Sequence, residues 1–322
     1  NAAIVKSENI IAERMGRFLP TNRFKIKKRR WHNESRPFSL ALCLPVEKQK
    51  KWPNLYELYV KFKQKDEGMG GVKRPKVAFF DFSCCEGCQL QVANLGEALL
   101  DVLGLIDVVM FREVMSEKSE KYDVAIVEGS ITTPHDIERI KKIRDTAKVL
   151  IAYGSCATIG GVNGMKNNFD LGEINRYVYH DSAKYFETIA TRPLHQVVKV
   201  DYFVHGCPIY PPEFIKVLKA ALAGLPYAVP DSAVCVECKL NENECMFDKG
   251  ISCLGPVTRS GCNSWCVNNG NICYGCRGMV TNPAVDGHAE VLKKYQIPLQ
   301  WILNKMDMYN KARESEELKT HE

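Results

Sequence analysis

The sequence predicts an α/β fold, a doubly wound parallel sheet followed by a loop-rich segment that cysteines organise. Three observations predict it. From Lys76 onward, short apolar runs alternate with stretches of helical period, the pattern of parallel strands joined by crossover helices. Lone cysteines fall in Gly-rich turns directly after such runs. Between Cys235 and Cys276, eight cysteines lie in a stretch rich in Gly and Asn with little apolar periodicity.

Composition narrows the class. The 322 residues are 45% hydrophobic and 25% charged, ordinary globular usage that excludes disorder for most of the chain. The net charge of +6 is concentrated in Lys25, Lys27, Lys28, Arg29 and Arg30, so the body presents no basic face and nucleic acid is not an expected partner. Fourteen cysteines fit disulfides, thiolate metal sites or core thiols. Chain length and the C-x-x-C pairs favour metal thiolates. No apolar run approaches the roughly 20 residues that span a bilayer. Arg29-Arg30 followed by the apolar stretch 38–45 faintly resembles a twin-arginine signal, but Pro37 and Pro45 bracket a run too short for one and no small-residue cleavage site follows. The expected location is cytoplasmic.

Four regions follow in order. Residues 1–75 form a basic N-terminal extension with scattered aromatics (Trp31, Phe38, Trp52, Tyr56, Tyr59, Phe62), a helix-like piece over 55–62 and a Gly68-Met69-Gly70-Gly71 linker. A solvated extension and a partner-clasping arm are both open for it. Residues 76–230 alternate strands (76–82, 106–111, 123–128, 148–153, 197–204) with helices (89–103, 134–144, 211–223), which predicts a flavodoxin-like domain. Residues 231–288 carry the cysteine ladder, where little but metal is expected to give shape. Residues 289–322 form a C-terminal helix, interrupted at Pro298, and a charged tail; Leu299, Ile302, Met306 and Tyr309 recur at helical spacing as a docking face.

Doubly wound sheets place their functional loops beyond the carboxyl ends of the strands. Cys85 and Cys88 follow the first strand, Cys156 follows KVLIAYGS and Cys207 follows VDYFVHG, so four thiolates distant in sequence are expected at one edge. The run GSCATIGGVNG at 154–164 lacks G-x-G-x-x-G and the P-loop lysine, which argues against nucleotide binding. Gly87, Gly154 and Gly206 suit a backbone that passes close to a bulky inorganic group. Together with the ladder these residues suggest three four-cysteine sites and an electron-carrying iron-sulfur protein. A zinc-stabilised interaction module explains the C-x-x-C pairs but not Cys156 and Cys207 at strand ends. His205, beside Cys207, reads as a structural histidine, with cluster tuning or proton conduction as the other reading.

From about Lys76 to Asn310 the chain resembles the small, electron-transfer subunit of nickel-iron hydrogenases, on the cytosolic sulfhydrogenase and NAD(P)-linked (delta-type) branch. The resemblance rests on SCCEGCQLQ at 83–91, VEGSITT at 127–133, GSCATIGGV at 154–162, GCP at 206–208, and CLGPVTRSGC with CYGCRG nearer the end. It implies a proximal 4Fe-4S cluster on Cys85, Cys88, Cys156 and Cys207, facing the catalytic subunit. It implies a distal 4Fe-4S cluster on Cys235, Cys238, Cys245 and Cys253, and a medial 4Fe-4S cluster on Cys262, Cys266, Cys273 and Cys276, so chain order and electron order differ. Membrane-linked relatives have His at the position of Cys235 and Pro at that of Cys266; all-thiolate ligation implies lower potentials. Cys43 is left as a buried thiol of the arm, and Cys84 is placed to join or replace a proximal ligand on oxidation.

The implied activity is reversible dihydrogen oxidation. This chain would relay electrons between a nickel-iron centre in a partner large subunit and a diaphorase, a flavin and iron-sulfur acceptor linked to NAD(P). A deazaflavin- or heterodisulfide-linked hydrogenase, or a hydrogen sensor built on the same subunit, is the alternative. The related subunit of the respiratory quinone-reducing complex lacks the eight-cysteine extension.

Overall fold

In the computed structural model residues 74–96, 102–282 and 285–317 are described. The expected basic extension, with its helix-like piece, linker and Cys43, lies outside them. The elements that position the site are, in order, β1 (Lys76–Asp81), α1 (Gly87–Ala93), β2 (Asp107–Met110), β3 (Val124–Glu128), α2 (Pro134–Thr146), β4 (Val149–Tyr153), α3 (Ser155–Ile159), α4 (Leu171–Tyr179), β5 (Tyr202–Val204), α5 (Pro211–Leu222), α6 (Val234–Leu240), α7 (Trp265–Asn268), α8 (Val285–Lys294) and α9 (Leu299–Glu317).

Apolar residues run almost unbroken through β1, β3 and β4 because these strands are covered on both faces. Side chains alternate along each strand. Val77, Phe79, Val124, Ile126, Ile151 and Tyr153 pack on α1 and α5, while Ala78, Phe80, Ala125, Val127, Leu150 and Ala152 pack on Ile140 and Ile143 of α2. Every strand pair is parallel and the order is β2-β1-β3-β4-β5, the flavodoxin-like arrangement with β1 and β3 at the switch point. The α/β fold class read from the sequence is therefore the one the chain adopts.

Local chemistry sets the boundaries. α2 starts in a capping box in which Asp136 N donates to Thr133 Oγ1 and Thr133 N donates to the Asp136 carboxylate, with Pro134 in the first turn. The expected strand over 197–204 shrinks to Tyr202–Val204. The Asp201 carboxylate accepts from Leu150 N at 2.8 Å and pairs with Arg144, while Val197 and Val198 donate back to Leu194 in a tight turn. The expected helix over 89–103 does not run unbroken, although residues 102 and 103 are helical. α1 begins at Gly87 and closes at Asn94, and Gly96 follows at φ +60°, which a continuing helix does not allow.

A further correction concerns the cysteine segment, which has a core of its own. Val234, Phe247, Leu254, Val257, Val267 and Ile272 cluster there with Leu292 and Ile297, and Ile302 of α9 closes the group. These apolar residues are spaced irregularly, so no helical or strand period announces them. α9 also packs along the 3-10 turn Val162–Asn168, where Gly160 and Gly164 make room for Ala312. No helix among the described residues is long and apolar enough to cross a membrane.

Candidate metal centres

The carboxyl edge of the sheet gathers the first four cysteines. Cys85 stands in the turn after β1 and Cys88 in the first turn of α1, Cys156 in α3 directly after β4, and Cys207 just beyond β5. Glu128, buried at the end of β3, accepts from Cys88 N and Gln89 N at 3.1 Å each and so fixes the Cys85–Cys88 turn. Burial pushes Cys156 up to about 12, and Cys207 and Cys85 add to the rise. Cys88 is raised by burial, then by Glu128, with Cys207 contributing. Cys207 thus lies within the field of the other three thiols.

Glycines line this edge for two different reasons. A Cβ on Gly154, at φ +85°, would stand 2.5 Å from Cys88 Sγ, and one on Gly161 would stand 2.8 Å from Cys156 Sγ. Gly206 answers to the backbone instead: a Cβ there would stand 2.7 Å from the Pro208 carbonyl oxygen. The close passage of chain past sulfur holds at 154; at 206 it is the turn into Pro208 that excludes a side chain.

The ladder divides into two more groups. Cys235 and Cys238 lie on α6, and burial, then Cys253, Cys238 and Cys245, push Cys235 up to about 12. Gly255 sits where a Cβ would stand 3.2 Å from Cys235 Sγ and 3.5 Å from Cys253 Sγ. In the remaining group, burial pushes Cys276 up to about 12 against an N–H donated by Cys207, and Cys262 and Cys266 add to the rise. Cys273 N donates to Cys253 Sγ at 3.3 Å. The group of Cys262, Cys266, Cys273 and Cys276 therefore touches Cys207 on one side and Cys253 on the other, and stands between the other two.

Among the described residues no three His, Cys, Asp or Glu side chains converge on one point as a single metal ion requires, and none of the described cysteines is in a disulfide. Soft sulfur donors in glycine-lined loops fit an iron-sulfur group. Cys84 is partly buried and raised to about 12 by burial and then by Glu128. His205 is built into the scaffold: its ring is buried, bonds Thr158 Oγ1 at 2.9 Å and lies parallel to Phe203.

Four side chains at these groups escaped the sequence reading. Arg277, directly after Cys276, is buried and reaches His205 O at 2.8 Å, Ser260 O at 2.7 Å and both oxygens of Glu213. Glu237, inside the C-x-x-C of α6, accepts from the Gly261 and Ser264 amides. Glu128 was legible only as part of VEGSITT. Tyr309 of α9 sets its hydroxyl on the Cys207 sulfur, and burial, then Cys207, hold its pKa well above the usual phenol value. Adjacency to a cysteine marks Arg277 and Glu237; nothing local marks Tyr309, which sequence periodicity places on an apolar docking face.

Known proteins share much of this sequence. The family described as NADH ubiquinone oxidoreductase, 20 Kd subunit, matches residues 85–221. Sulfhydrogenase 2 subunit delta of Pyrococcus furiosus is 39% identical over 233 residues, covering 72% of this chain and 97% of that protein. A subunit of the F420-non-reducing hydrogenase (vhu) of Methanocaldococcus jannaschii is 32% identical over 234 residues, 63% of this chain and 81% of the relative. NAD-reducing hydrogenase HoxS subunit delta of Cupriavidus necator is 31% identical over 175 residues, 49% of this chain and 83% of the relative. A chain of the crystal structure of NAD+-reducing [NiFe]-hydrogenase in the H2-reduced state aligns with a TM-score of 0.45 at 21% identity, over 49% of this chain and 96% of that one. Through the near-complete match to the Pyrococcus subunit, this chain belongs to the small, electron-transfer subunits of nickel-iron hydrogenases, on their sulfhydrogenase and NAD-linked branch.

Proposed function

We propose that the chain relays electrons through three 4Fe-4S clusters during reversible dihydrogen oxidation. Cys85, Cys88, Cys156 and Cys207 would hold the proximal cluster, Cys262, Cys266, Cys273 and Cys276 the medial one, and Cys235, Cys238, Cys245 and Cys253 the distal one. The observation that carries the reading is the series of contacts from Cys207 N to the Cys276 sulfur and from Cys273 N to the Cys253 sulfur. It supports the order proximal, medial, distal, although the distal cysteines come before the medial ones in the chain.

Bound clusters would supply one-electron transfer at each site. The chain's own residues hold and isolate them. Glycines at 154, 161 and 255 let backbone approach sulfur, Cys88, Cys253 and Cys273 sit in buried surroundings that exclude water, and donated N–H groups tune the thiolates. Hydrogen activation is assigned to a nickel-iron centre in a partner large subunit. Cys85 and Cys207 are exposed, and the stretch that follows the Cys156 loop in the chain carries Phe169 65%, Tyr177 70% and Tyr185 75% exposed. Exposed thiols and exposed aromatics of this kind support docking of that subunit on the sheet domain.

At the distal end the reading places a flavin and iron-sulfur diaphorase, in the cytoplasm, where thiolates stay reduced. The 32% identity to an F420-non-reducing hydrogenase chain supports a second reading in which the acceptor is not a nicotinamide. Co-purification of a flavin- and nicotinamide-binding subunit supports the first, and its replacement by another acceptor supports the second. The experiment for the relay is iron, zinc and acid-labile sulfide per chain on the anaerobic complex, with an EPR redox titration. About twelve irons with matching sulfide and three low-potential signals are expected. About four irons, or zinc in the C-terminal half, would reject the three-cluster assignment.

A further inference from the structure

The C-x-x-C turn of α6 reads Cys235-Val236-Glu237-Cys238, and its glutamate serves a different cysteine group from the one it stands in. Glu237 Oε1 accepts from Gly261 N at 2.8 Å and Oε2 from Ser264 N at 3.0 Å, and Oε2 lies 4.0 Å from Cys262 Sγ. Asn241, which closes α6, gives its amide to Asn263 O at 3.0 Å and Ser264 Oγ at 2.9 Å. Between them these two side chains grip a turn in which Asn263 (φ +52°) and Ser264 (φ +48°) are both left-handed, a conformation that non-glycine residues hold only when neighbours impose it.

Two charges face Cys262. Arg277, the stronger of the two at this sulfur, is shared with Glu213 in a two-pronged pair, whereas Glu237 makes no salt bridge among the described residues. Once Cys262 binds iron its sulfur carries no proton, and the contact at 4.0 Å sets carboxylate against thiolate. A fixed negative charge at that distance opposes the arrival of an electron.

We propose that Glu237 is a positioning residue for the neighbouring cluster: it fixes the Cys262 turn and, by its negative charge, holds the medial potential low. This rests on the assignment of Cys262, Cys266, Cys273 and Cys276 to one 4Fe-4S cluster. The distal binding loop thereby sets the energy level of the step before it.

The test is an EPR redox titration of the anaerobic complex in wild type, Glu237→Gln and Asn241→Ala. E237Q keeps the size and loses the charge, together with one of the two amide bonds because an NH2 group cannot accept, so the medial signal should move to more positive potential. At fixed ambient potential the ratio of reduced to oxidised cluster should rise about tenfold, ~59 mV for a one-electron couple, with the proximal signal unmoved. N241A loosens the turn without touching the charge and should leave the medial potential in place. An unmoved medial signal in E237Q, or an equal move in N241A, overturns the proposal. If E237Q loses iron, Glu237→Asp carries the test, because it keeps the charge but draws it back by one methylene; the same sign with a smaller shift is expected, and no shift overturns it. Eight irons or fewer in wild type would instead reject the cluster assignment beneath it, before any variant is compared.

Discussion

Arg277 and Glu213 meet prong to prong, with Nη1 2.6 Å from Oε2 and Nη2 2.7 Å from Oε1, and both side chains are buried. Glu213 belongs to the first turn of α5 on the sheet domain and Arg277 follows Cys276, so this pair joins the sheet to the cysteine ladder. Tyr227 adds a hydroxyl to Glu213 at 3.2 Å, and a Cβ on Gly261 would overlap the guanidinium.

Breaking one side of that pair leaves an uncompensated buried charge. Arg277→Met is expected to destabilise the folded chain by about 3–5 kcal/mol, and the double variant Arg277→Met with Glu213→Leu by much less. Anaerobic urea unfolding of the single and double variants measures both; equal losses would mean that packing around Arg277, not charge, holds the joint.

Gly160 faces Ala312 of α9. Its φ is +86°, and an added Cβ would overlap the Ala312 Cβ. Gly160→Ala should therefore cost about 1–3 kcal/mol and loosen the C-terminal helix. Ala312→Gly in the same chain should recover part of the loss. Thermal unfolding, with limited proteolysis near residue 300, reads the two effects separately.

Tyr309 should tune the proximal site. Its hydroxyl donates to the Cys207 sulfur, and a donor to a thiolate draws charge from the bound iron, which raises the potential. Tyr309→Phe keeps the packing and removes the donor, so the proximal potential in an EPR titration should move to a more negative value. The distal signal should not move. A change in all three signals would point to a disturbed fold.

His288 on α8 supplies a pH dependence. Its ring is buried edge-on to Phe247, and burial holds its pKa below the ordinary 6.5. Above the unfolded value the imidazole is neutral in both states and contributes nothing. As pH falls through that value the unfolded chain takes a proton that the folded chain resists, so stability declines from about pH 6.5 downward. Unfolding of wild type and His288→Leu compared between pH 7.5 and 5.5 isolates the term, because other titrating groups are common to both. The leucine variant should lose less stability across that interval.

Much of the scaffold was legible before any coordinates. Parallel strands buried on both faces need continuous apolar runs, and KVAFFD, VAIVE and VLIAY supply them. The expected clustering of Cys85, Cys88, Cys156 and Cys207 followed from one rule, that functional loops sit beyond the carboxyl ends of parallel strands. The break in the helix after Cys88 and the late start of the strand before His205 went unread. Gly96 interrupts the one and Asp201 delays the other, each from inside the expected span. The core of the cysteine segment was missed because its apolar members keep no period.

What the sequence determined by itself is the covalent pattern: which thiols exist, which come in C-x-x-C pairs, and which follow a strand. Those are local facts, and local propensity and spacing carry them. Tertiary structure alone decided which residues govern those thiols. Glu237 reaches Cys262, Tyr309 reaches Cys207, and Arg277 reaches Glu213 across separations of 25, 102 and 64 residues. Such pairings depend on how strands, turns and helices pack around one another. A charge or hydroxyl acts on a sulfur only over a few ångström, a distance that no spacing along the chain specifies.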